Sequence, residues 1–220
     1  MAELDSPISH LVTLSRQESC EAFKEQMEQS MLFRKKDQNR RYCIQRAISN
    51  DLPDGLFVEL GVAGGAGCRL FGKALAGVGK TLTGFDSFEG LEEDWTGIQT
   101  GRAAGAFTQG GELPKVPGNV TLVKGWVQDT LPPFLKETGD APFSFIHMDM
   151  DTYAPTRYAL EVVKPRLVEG SVILFDELYG YPGWRHHEYK ALIEVIEPDS
   201  YRYVSFSTEN VGIELLRAPA

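Results

Sequence analysis

Two pairs of acidic residues each follow an apolar run of the sequence. Asp149 and Asp151 close the run in "FIHMDMDTY", and Asp176 and Glu177 close the run in "VILFDELYG". Carboxylates at close range repel each other and raise each other's pKa values, and a divalent cation among them removes that cost. Oxygen ligands suit a hard ion such as Mg²⁺. We therefore predict a divalent metal site at Asp149, Asp176 and Glu177.

The fourth acid can have a different task. Asp149 and Asp151 are two residues apart, so they share a face of an extended chain, and Asp151 can stay off the metal and act as a general base. A metal ion at this place can bind neighbouring oxygens of a diol and lower the pKa of one hydroxyl group. The alternative is that Asp149 and Asp176 only cap the helices that follow them.

A glycine-rich turn precedes these acids in the chain. In "VELGVAGGAG" a strand-like run is followed by glycines, Gly61 and Gly64 among them, whose backbone can approach a ligand closely. Glu59 lies inside the strand end, where a carboxylate is costly to bury without a bonded partner. Asp86 follows about twenty residues later, where the ribose of a nucleotide is commonly bound. The turn predicts a nucleoside cofactor, but its glycine spacing does not fit the NAD pattern.

Alternating strand-like and helix-like segments must position these residues. From Pro53 onward the order of segments predicts an α/β fold, a doubly wound and mostly parallel seven-stranded sheet with an antiparallel C-terminal hairpin. Residues 53–220 form the predicted domain, and residues 1–52 form a helical segment packed on its core. Residues 87–118 are glycine-rich and too long for an ordinary connection, so we predict that they cover the active site.

Five phrases resemble one enzyme family in the same order along the chain. "VELGV", "GFDSFEGL", "GWVQDTLP", "HMDMDTY" and "FDELYGYPGW" are similar to class I S-adenosylmethionine-dependent methyltransferases with a Rossmann-like fold, and in particular to the macrocin O-methyltransferase (TylF-like) family. The resemblance covers roughly residues 55 to 190. It implies S-adenosylmethionine as the cofactor and a sugar hydroxyl of an antibiotic or other small natural product as the acceptor.

The resemblance also implies roles for single residues. Asp149, Asp176 and Glu177 would be the metal ligands, and Asp151 would be the base. The cofactor would be bound by the following residues: Glu59, Gly61, Gly64, Asp86, Ser87, Gln128 and Asp149. Gln128 would meet the adenine with Trp126 or Val127 beside it, although Trp126 could equally be a core residue. The family usually has two Asp where this chain has Asp176 and Glu177, which affects the predicted metal geometry.

Three alternative functions remain open from the sequence. Related catechol O-methyltransferases use a lysine base three residues after the first ligand, where this chain has Thr152, and this favours an alcohol over a phenol. An NAD-dependent oxidoreductase is disfavoured by the glycine spacing. A non-catalytic nucleoside-binding scaffold would have no use for the acid set.

Composition limits the partners of the protein. The chain has 220 residues, 42% hydrophobic and 24% charged, with a net charge of −9, which argues against nucleic acid as a partner. No apolar stretch is long enough to span a bilayer and the first residues do not resemble a signal peptide, so we expect no membrane and a cytoplasmic location. The three cysteines have no metal-ligand spacing and are expected to be reduced. Apolar positions on the first helices could serve a homodimer.

Three histidines have open roles. His147 shares a face with Asp149 and could assist the metal ligands, although a core histidine with satisfied hydrogen bonds is the more ordinary outcome. His186 and His187 open a predicted helix near the mouth of the site and could contact a substrate or simply be solvated.

Overall fold

The computed structural model of the chain describes residues 6–98 and 100–220. The first five residues of the predicted N-terminal segment, and Gln99 of the predicted cover, lie outside this range. The helices are α1 (Pro7–Ala22), α2 (Lys24–Glu28), α3 (Lys36–Asn50), α4 (Ala66–Ala76), α5 (Val127–Glu137), α6 (Tyr153–Val163) and α7 (Glu188–Val195). The strands are β1 (Met31–Leu32), β2 (Leu56–Leu60), β3 (Leu82–Asp86), β4 (Val120–Lys124), β5 (Phe143–Met148), β6 (Val172–Phe175), β7 (Tyr201–Phe206) and β8 (Val211–Leu215).

One mixed sheet organises the described residues, in the order β1-β7-β8-β6-β5-β2-β3-β4. Strand β8 runs antiparallel to both of its neighbours, and the remaining pairs are parallel. The doubly wound α/β sheet with its antiparallel C-terminal hairpin is confirmed. The sheet has one strand more than the predicted seven. This strand is β1, a two-residue edge strand that is too short to leave a periodic signal in the sequence.

Helices cover both faces of the sheet. Apolar residues of α3 and α4 pack on one face, where Cys43, Cys68 and Phe71 are fully buried. Helices α5, α6 and α7 cover the other face through a second apolar cluster, which includes Leu131 and Leu160. No helix within the described ranges is long and apolar enough to cross a membrane.

The N-terminal helices differ in detail from the sequence pattern. The apolar spacing of residues 18–33 predicts one helix, but the chain turns at Phe23 and enters the edge strand at Met31. Phe23 is 3% exposed and its ring lies against Tyr179 and Trp184, at centroid distances of 5.7 and 5.5 Å. The chain thus changes direction at a residue whose ring is held in the apolar cluster.

The order of the strands creates a cleft beside the carboxyl ends of β2 and β5. Strand β2 leads outward to β3 and β4, whereas the chain then returns to place β5 on the other side of β2. The loops after β2 and β5 therefore diverge, and such a point is where ligands bind in sheets of this type.

Candidate active site

The strand registers bring the acids to one level of the sheet. Met148 pairs with Phe175 in the parallel β5–β6 ladder, so Asp149 and Asp176 come one residue later side by side. The ladder continues past the strands, because Asp149 N–H donates to Leu60 O at 2.8 Å and Asp176 N–H donates to Met148 O at 3.0 Å. The backbone of this edge is thus fixed on three adjacent strands.

A cavity of about 300 Å³ lies at this edge and holds most of the predicted site residues. The predicted residues that line it are Gly61, Asp86, Ser87, Gln128, Asp149, Asp151, Asp176 and Glu177. The glycine turn and the four acids therefore share one cavity. The cover segment, residues 87–118, adds Trp95 and Phe107 to its wall.

Gly61 shows why the turn requires glycine. Its φ is +90°, and a Cβ added there would lie 1.8 Å from the carbonyl oxygen of Asp149. The glycine thus permits the turn after β2 to touch the turn after β5. Gly64, in contrast, is not part of the cavity wall, and its carbonyl oxygen accepts a hydrogen bond from Arg69 at 2.9 Å.

Glu59 lies behind the cavity instead of in its wall. It is 1% exposed, and its Oε1 accepts a hydrogen bond from Nδ1 of His147 at 2.9 Å. A Cβ added at Gly67 would lie 1.8 Å from the same Oε1, so α4 closes directly over this carboxylate. Its Oε2 has no hydrogen-bond partner among the described residues.

Asp86 organises the glycine turn through its carboxylate. Its Oδ2 accepts the backbone N–H groups of Val62 and Ala63, each at 2.7 Å, and its Oδ1 accepts that of Phe88 at 2.5 Å. The sequence indicated a ribose contact at this position. In the structure both oxygens accept backbone N–H groups, so Asp86 shapes the turn on which a ligand would lie, and the ribose contact stays a prediction.

The start of α5 forms another part of the cavity wall. Trp126 and Gln128 both line it, and Gln128 Nε2 donates to Glu92 of the cover segment at 2.7 Å. The Oε1 atom of Gln128 is buried without a partner in the described part of the chain. Trp126 is therefore a wall residue of the cavity and not a residue of the apolar clusters.

Asp151 sits in an unusual backbone position. Its φ is +63°, in the left-handed region that Asp tolerates better than most residues, and it is only 8% exposed. Burial raises its pKa to about 7, and the negative charge of Asp176 acts in the same direction, whereas the positive charge of Lys36 opposes it. A carboxylate with such a pKa can accept a proton near neutral pH.

Asp176 is surrounded by cations. Its Oδ1 accepts from Nη2 of Arg40 at 2.8 Å and from Nε2 of His147 at 3.1 Å, and its Oδ2 accepts from Nζ of Lys36 at 3.0 Å. Burial opposes ionisation, but the bonds and charges of His147, Lys36 and Arg40 prevail and hold the pKa of Asp176 well below its usual range.

His147 connects two carboxylates inside the sheet. It is fully buried, and its two ring nitrogens face Glu59 and Asp176, so the imidazolium form donates to both. Burial disfavours this charged form, but the two hydrogen bonds raise the pKa of His147 to about 10. His147 is a partner of the acid cluster, one of the two roles that the sequence left open.

Several residues of the site escaped the sequence reasoning. Lys36 and Arg40 come from α3, and Lys36 also pairs with Glu209 at 3.2 Å. Glu188 is fully buried and its Oε2 accepts the backbone N–H of Glu177 at 3.0 Å. The signal for the first two was present in "KKDQNRR", since residues four apart lie on the same face of a helix.

The cover segment is fastened to the rest of the site. Glu93 Oε1 accepts the backbone N–H of Ala154 at 3.0 Å, and Gly183 N–H donates to Gly97 O at 3.2 Å. His187 Nε2 donates to Thr96 O at 2.9 Å, and burial lowers its pKa. His187 thus secures the cover segment, whereas His186 is exposed.

Comparison with known proteins identifies the family. Residues 58–178 match the family model described as a methyltransferase domain, which is more than half of the chain. The chain belongs to this methyltransferase family. It is a class I S-adenosylmethionine-dependent O-methyltransferase of the macrocin type, as the sequence resemblance predicted. The alternative of an NAD-dependent oxidoreductase is thereby set aside.

Individual relatives agree with this assignment. The methyltransferase is 28% identical over 191 residues to 8-demethyl-8-(2,3-dimethoxy-alpha-L-rhamnosyl)-tetracenomycin-C 4'-O-methyltransferase of Streptomyces olivaceus, covering 78% of this chain and 71% of the relative. Its fold is similar to that of the calicheamicin methyltransferase CalS11, with a TM-score of 0.64, 23% identity and coverage of 96% and 93% of the two chains. The O-methyltransferase NovP gives a TM-score of 0.61 and 23% identity, with 82% and 79% covered.

Proposed function

We propose that this methyltransferase transfers the methyl group of S-adenosylmethionine to a hydroxyl group of a small natural product, and specifically of a sugar. The observation that carries the proposal is the placing of Asp151, with its pKa raised to about 7, in the same cavity as the glycine turn. The name of the Streptomyces relative, which methylates a rhamnosyl group, supports the sugar. CalS11 is also described as a TDP-rhamnose 3'-O-methyltransferase.

The cofactor would occupy the side of the cavity near β2 and β3. Gly61, Ser87 and Gln128 line this side, with Asp149 at the junction with the acids. Gln128 Oε1 lacks a partner and suits the exocyclic amine of adenine. Asp86 would act through the N–H groups that it orders, and Glu59 and Gly64 would support the turn from outside the cavity.

Asp151 would remove the proton from the acceptor. When bound, S-adenosylmethionine would supply the methyl group: the acceptor oxygen would take the methyl carbon, the electron pair of the broken carbon–sulfur bond would go to sulfur, and S-adenosylhomocysteine would remain. The hydroxyl proton passes to a carboxylate oxygen of Asp151. Alignment of the three atoms in one cavity would supply much of the rate, because it removes the entropy cost of bringing them together.

We also propose that a divalent cation such as Mg²⁺ takes part. Asp149, Asp151 and Glu177 each offer a ligand atom within 4.8 Å of the others, and Oε2 of Glu177 is buried without a partner in the described chain. This oxygen-only set fits a hard ion. When bound, such an ion would lower the pKa of an acceptor hydroxyl. Asp149 and Glu177 belong both to this set and to the set implied by the family resemblance. We propose the second set, in which Asp176 is the third ligand, because Asp151 must stay off the ion to act as the base.

The sugar is favoured over a catechol by the residue after Asp151. Thr152, where catechol-type enzymes have a lysine base, is fully buried and its backbone N–H donates to Met150 O at 2.6 Å. With no lysine at this position, Asp151, which lines the same cavity as the glycine turn, is the candidate for the base. A phenol needs less help to lose its proton than a sugar hydroxyl does, so a buried carboxylate base suits the sugar.

Methyl transfer from isotope-labelled S-adenosylmethionine tests the proposal. Purified enzyme is offered deoxysugar glycosides and nucleotide-linked deoxysugars in one series and catechols in the other, each with Mg²⁺ and with EDTA. We expect label in the sugar series only, loss of transfer with EDTA and recovery with added Mg²⁺. Label in catechols alone would contradict the sugar assignment, and full transfer in EDTA would contradict the metal.

Free thiols and exposed apolar residues bear on the cellular location and the oligomeric state of the enzyme. Cys20, Cys43 and Cys68 are all free thiols, which accords with a reducing cytoplasm. Ile8, Leu11 and Leu14 on α1 are 63%, 51% and 46% exposed, and we propose that this apolar face joins two copies of the chain.

A further inference from the structure

A lysine ammonium lies among the acids of the site. Nζ of Lys36 is 3.0 Å from Oδ2 of Asp176 and 3.2 Å from Oε2 of Glu209, and it donates a shorter hydrogen bond to Oε1 of Glu177. The Asp176 and Glu177 side chains are only 4% and 10% exposed. Lys36 is therefore a cation that these two buried acids share.

Lys36 uses the same oxygens that a metal ion would use. An ammonium group donates its N–H bonds to carboxylate lone pairs, and a divalent ion coordinates through those lone pairs. Oδ1 of Asp176 is already taken by Arg40 and His147, so Oδ2 is the oxygen of Asp176 left for an ion, and Lys36 occupies it. An ion that binds Asp176 and Glu177 together must displace this ammonium.

Glu209 gives the Lys36 ammonium a partner outside the two buried acids. Its side chain is 25% exposed, and that of Glu209, at the rim of the cluster, is 26% exposed. A lysine has a flexible four-carbon stem, so the ammonium can leave the two buried acids and keep its contact with Glu209. Arg40 has a fixed fork of donors on Asp176 and no comparable freedom.

We infer that Lys36 is a built-in counter-ion that competes with the divalent cation for Asp176 and Glu177, and that metal binding moves its ammonium outward to Glu209. The inference rests on the metal-binding part of the proposed function. It assigns to α3, a helix outside the family resemblance, control over the affinity of the metal site.

Calorimetry with Mn²⁺ tests the competition, with wild type compared with Lys36→Met, which keeps the chain length and removes the charge. We expect Lys36→Met to bind Mn²⁺ at least about tenfold more tightly, and Lys36→Arg to stay near the wild type. Lys164→Met is the matched control, since Lys164 is 23% exposed and pairs with Glu197 at 2.9 Å outside the site. Equal or weaker binding by Lys36→Met would overturn the inference.

A second test uses the wild type alone, so it does not depend on the folding of Lys36→Met. Lysine acylation is followed by mass spectrometry with and without Mn²⁺, and Lys36 should react several-fold faster with the ion while Lys164 is unchanged. An unchanged or slower reaction of Lys36 would overturn the inference. Methyl transfer is measured separately in EDTA and in Mg²⁺. Full transfer in EDTA would mean that the enzyme needs no ion, which contradicts the proposed function. Transfer that needs Mg²⁺, with Lys36 reacting at an unchanged rate, would contradict only the inference about Lys36.

Discussion

At the scale of single residues, Asp151 and Asp176 show how position decides the chemistry of identical side chains. Both are buried, but Asp176 meets Lys36, Arg40 and His147, which hold its pKa low, whereas burial raises the pKa of Asp151 to about 7. Divergent environments of this kind separate acids that bind cations from acids that move protons. Asp176 is thus suited to remain charged, and Asp151 to exchange a proton.

The sequence predicted which acids form the site better than it predicted the residues that contact them. All four acids line the cavity, as the strand-end pattern and the family resemblance indicated. Lys36 lies 140 positions before Asp176 in the chain, and such a contact leaves no mark in local spacing. The backbone role of Asp86 was equally hidden, because an acid that binds N–H groups and one that binds a ribose look alike in sequence.

Gln128 provides a prediction for the cofactor. Replacement of Gln128 by Ala should weaken S-adenosylhomocysteine binding about fivefold, since one net hydrogen bond contributes roughly 1 kcal/mol. Calorimetry measures the affinity. Glu92→Gln, which retains a partner for Gln128 Nε2, is the control and should bind nearly as the wild type does. Unchanged affinity in Gln128→Ala would place the adenine elsewhere.

At the scale of elements, the alternation of strands and helices was readable, whereas short and strained pieces were not. The βαβ order and the C-terminal hairpin follow from apolar runs that are long enough to show a period. The edge strand Met31–Leu32 pairs through only two residues, and the turn at Phe23 depends on rings contributed by distant parts of the chain. Tertiary packing decided both.

The fastening of the cover segment yields a second prediction. A Cβ at Gly183 would lie 2.4 Å from Thr96 O, so Gly183→Ala should push the segment off the site. Trypsin should then cleave after Arg102 at least several-fold faster, and the KM for the acceptor should rise. Gly77→Ala, where the nearest atom is Ala74 O at 3.5 Å, is the control. Cleavage at the wild-type rate would show that the segment is held by other contacts.

Glu214 yields a third prediction, which concerns stability. This β8 residue accepts from Arg46 at 2.7 Å, from Asn50 at 2.8 Å and from Arg202 at 2.6 Å. Burial opposes its ionisation, but these bonds outweigh burial and lower the pKa of Glu214. Glu214→Gln should lower the free energy of unfolding by about 1–3 kcal/mol at pH 7, as expected for hydrogen bonds to a charged group.

The pH dependence of that loss has a defined sign. Because the folded pKa lies below the unfolded value of about 4.3, the stabilisation is complete above the unfolded value and disappears as the pH falls through the folded pKa. Urea unfolding of both proteins should therefore converge at low pH. Glu161→Gln removes only the exposed pair with Arg157 and should change little. A difference that stayed constant down to pH 3 would contradict the assignment.

At the scale of the whole molecule, the N-terminal helices join the site to the surface of the protein. Helix α3 supplies Lys36 and Arg40 to the acids, and α1 presents an apolar face to the outside. The family resemblance begins only near residue 55, so neither feature was predicted in detail. The net charge of −9 disfavours a polyanion as a partner.

The exposed face of α1 gives the fourth prediction. Sedimentation velocity should show a dimer for the wild type and a monomer for Leu11→Glu, since a buried carboxylate without a partner opposes association. Val78→Glu is the control, because Val78 is 49% exposed and lies just after α4, outside the N-terminal helices. A wild type that sediments as a monomer at micromolar concentration would exclude this interface.

The most direct test concerns Asp151, the residue to which the proposed reaction assigns proton removal. Asp151→Asn keeps the size of the side chain and removes its basicity, so kcat should fall at least about 100-fold, the usual contribution of a general base. The affinity for S-adenosylhomocysteine should stay within about twofold, and exposed Asp140→Asn should match the wild type in both respects. Undiminished methyl transfer by Asp151→Asn would contradict the account.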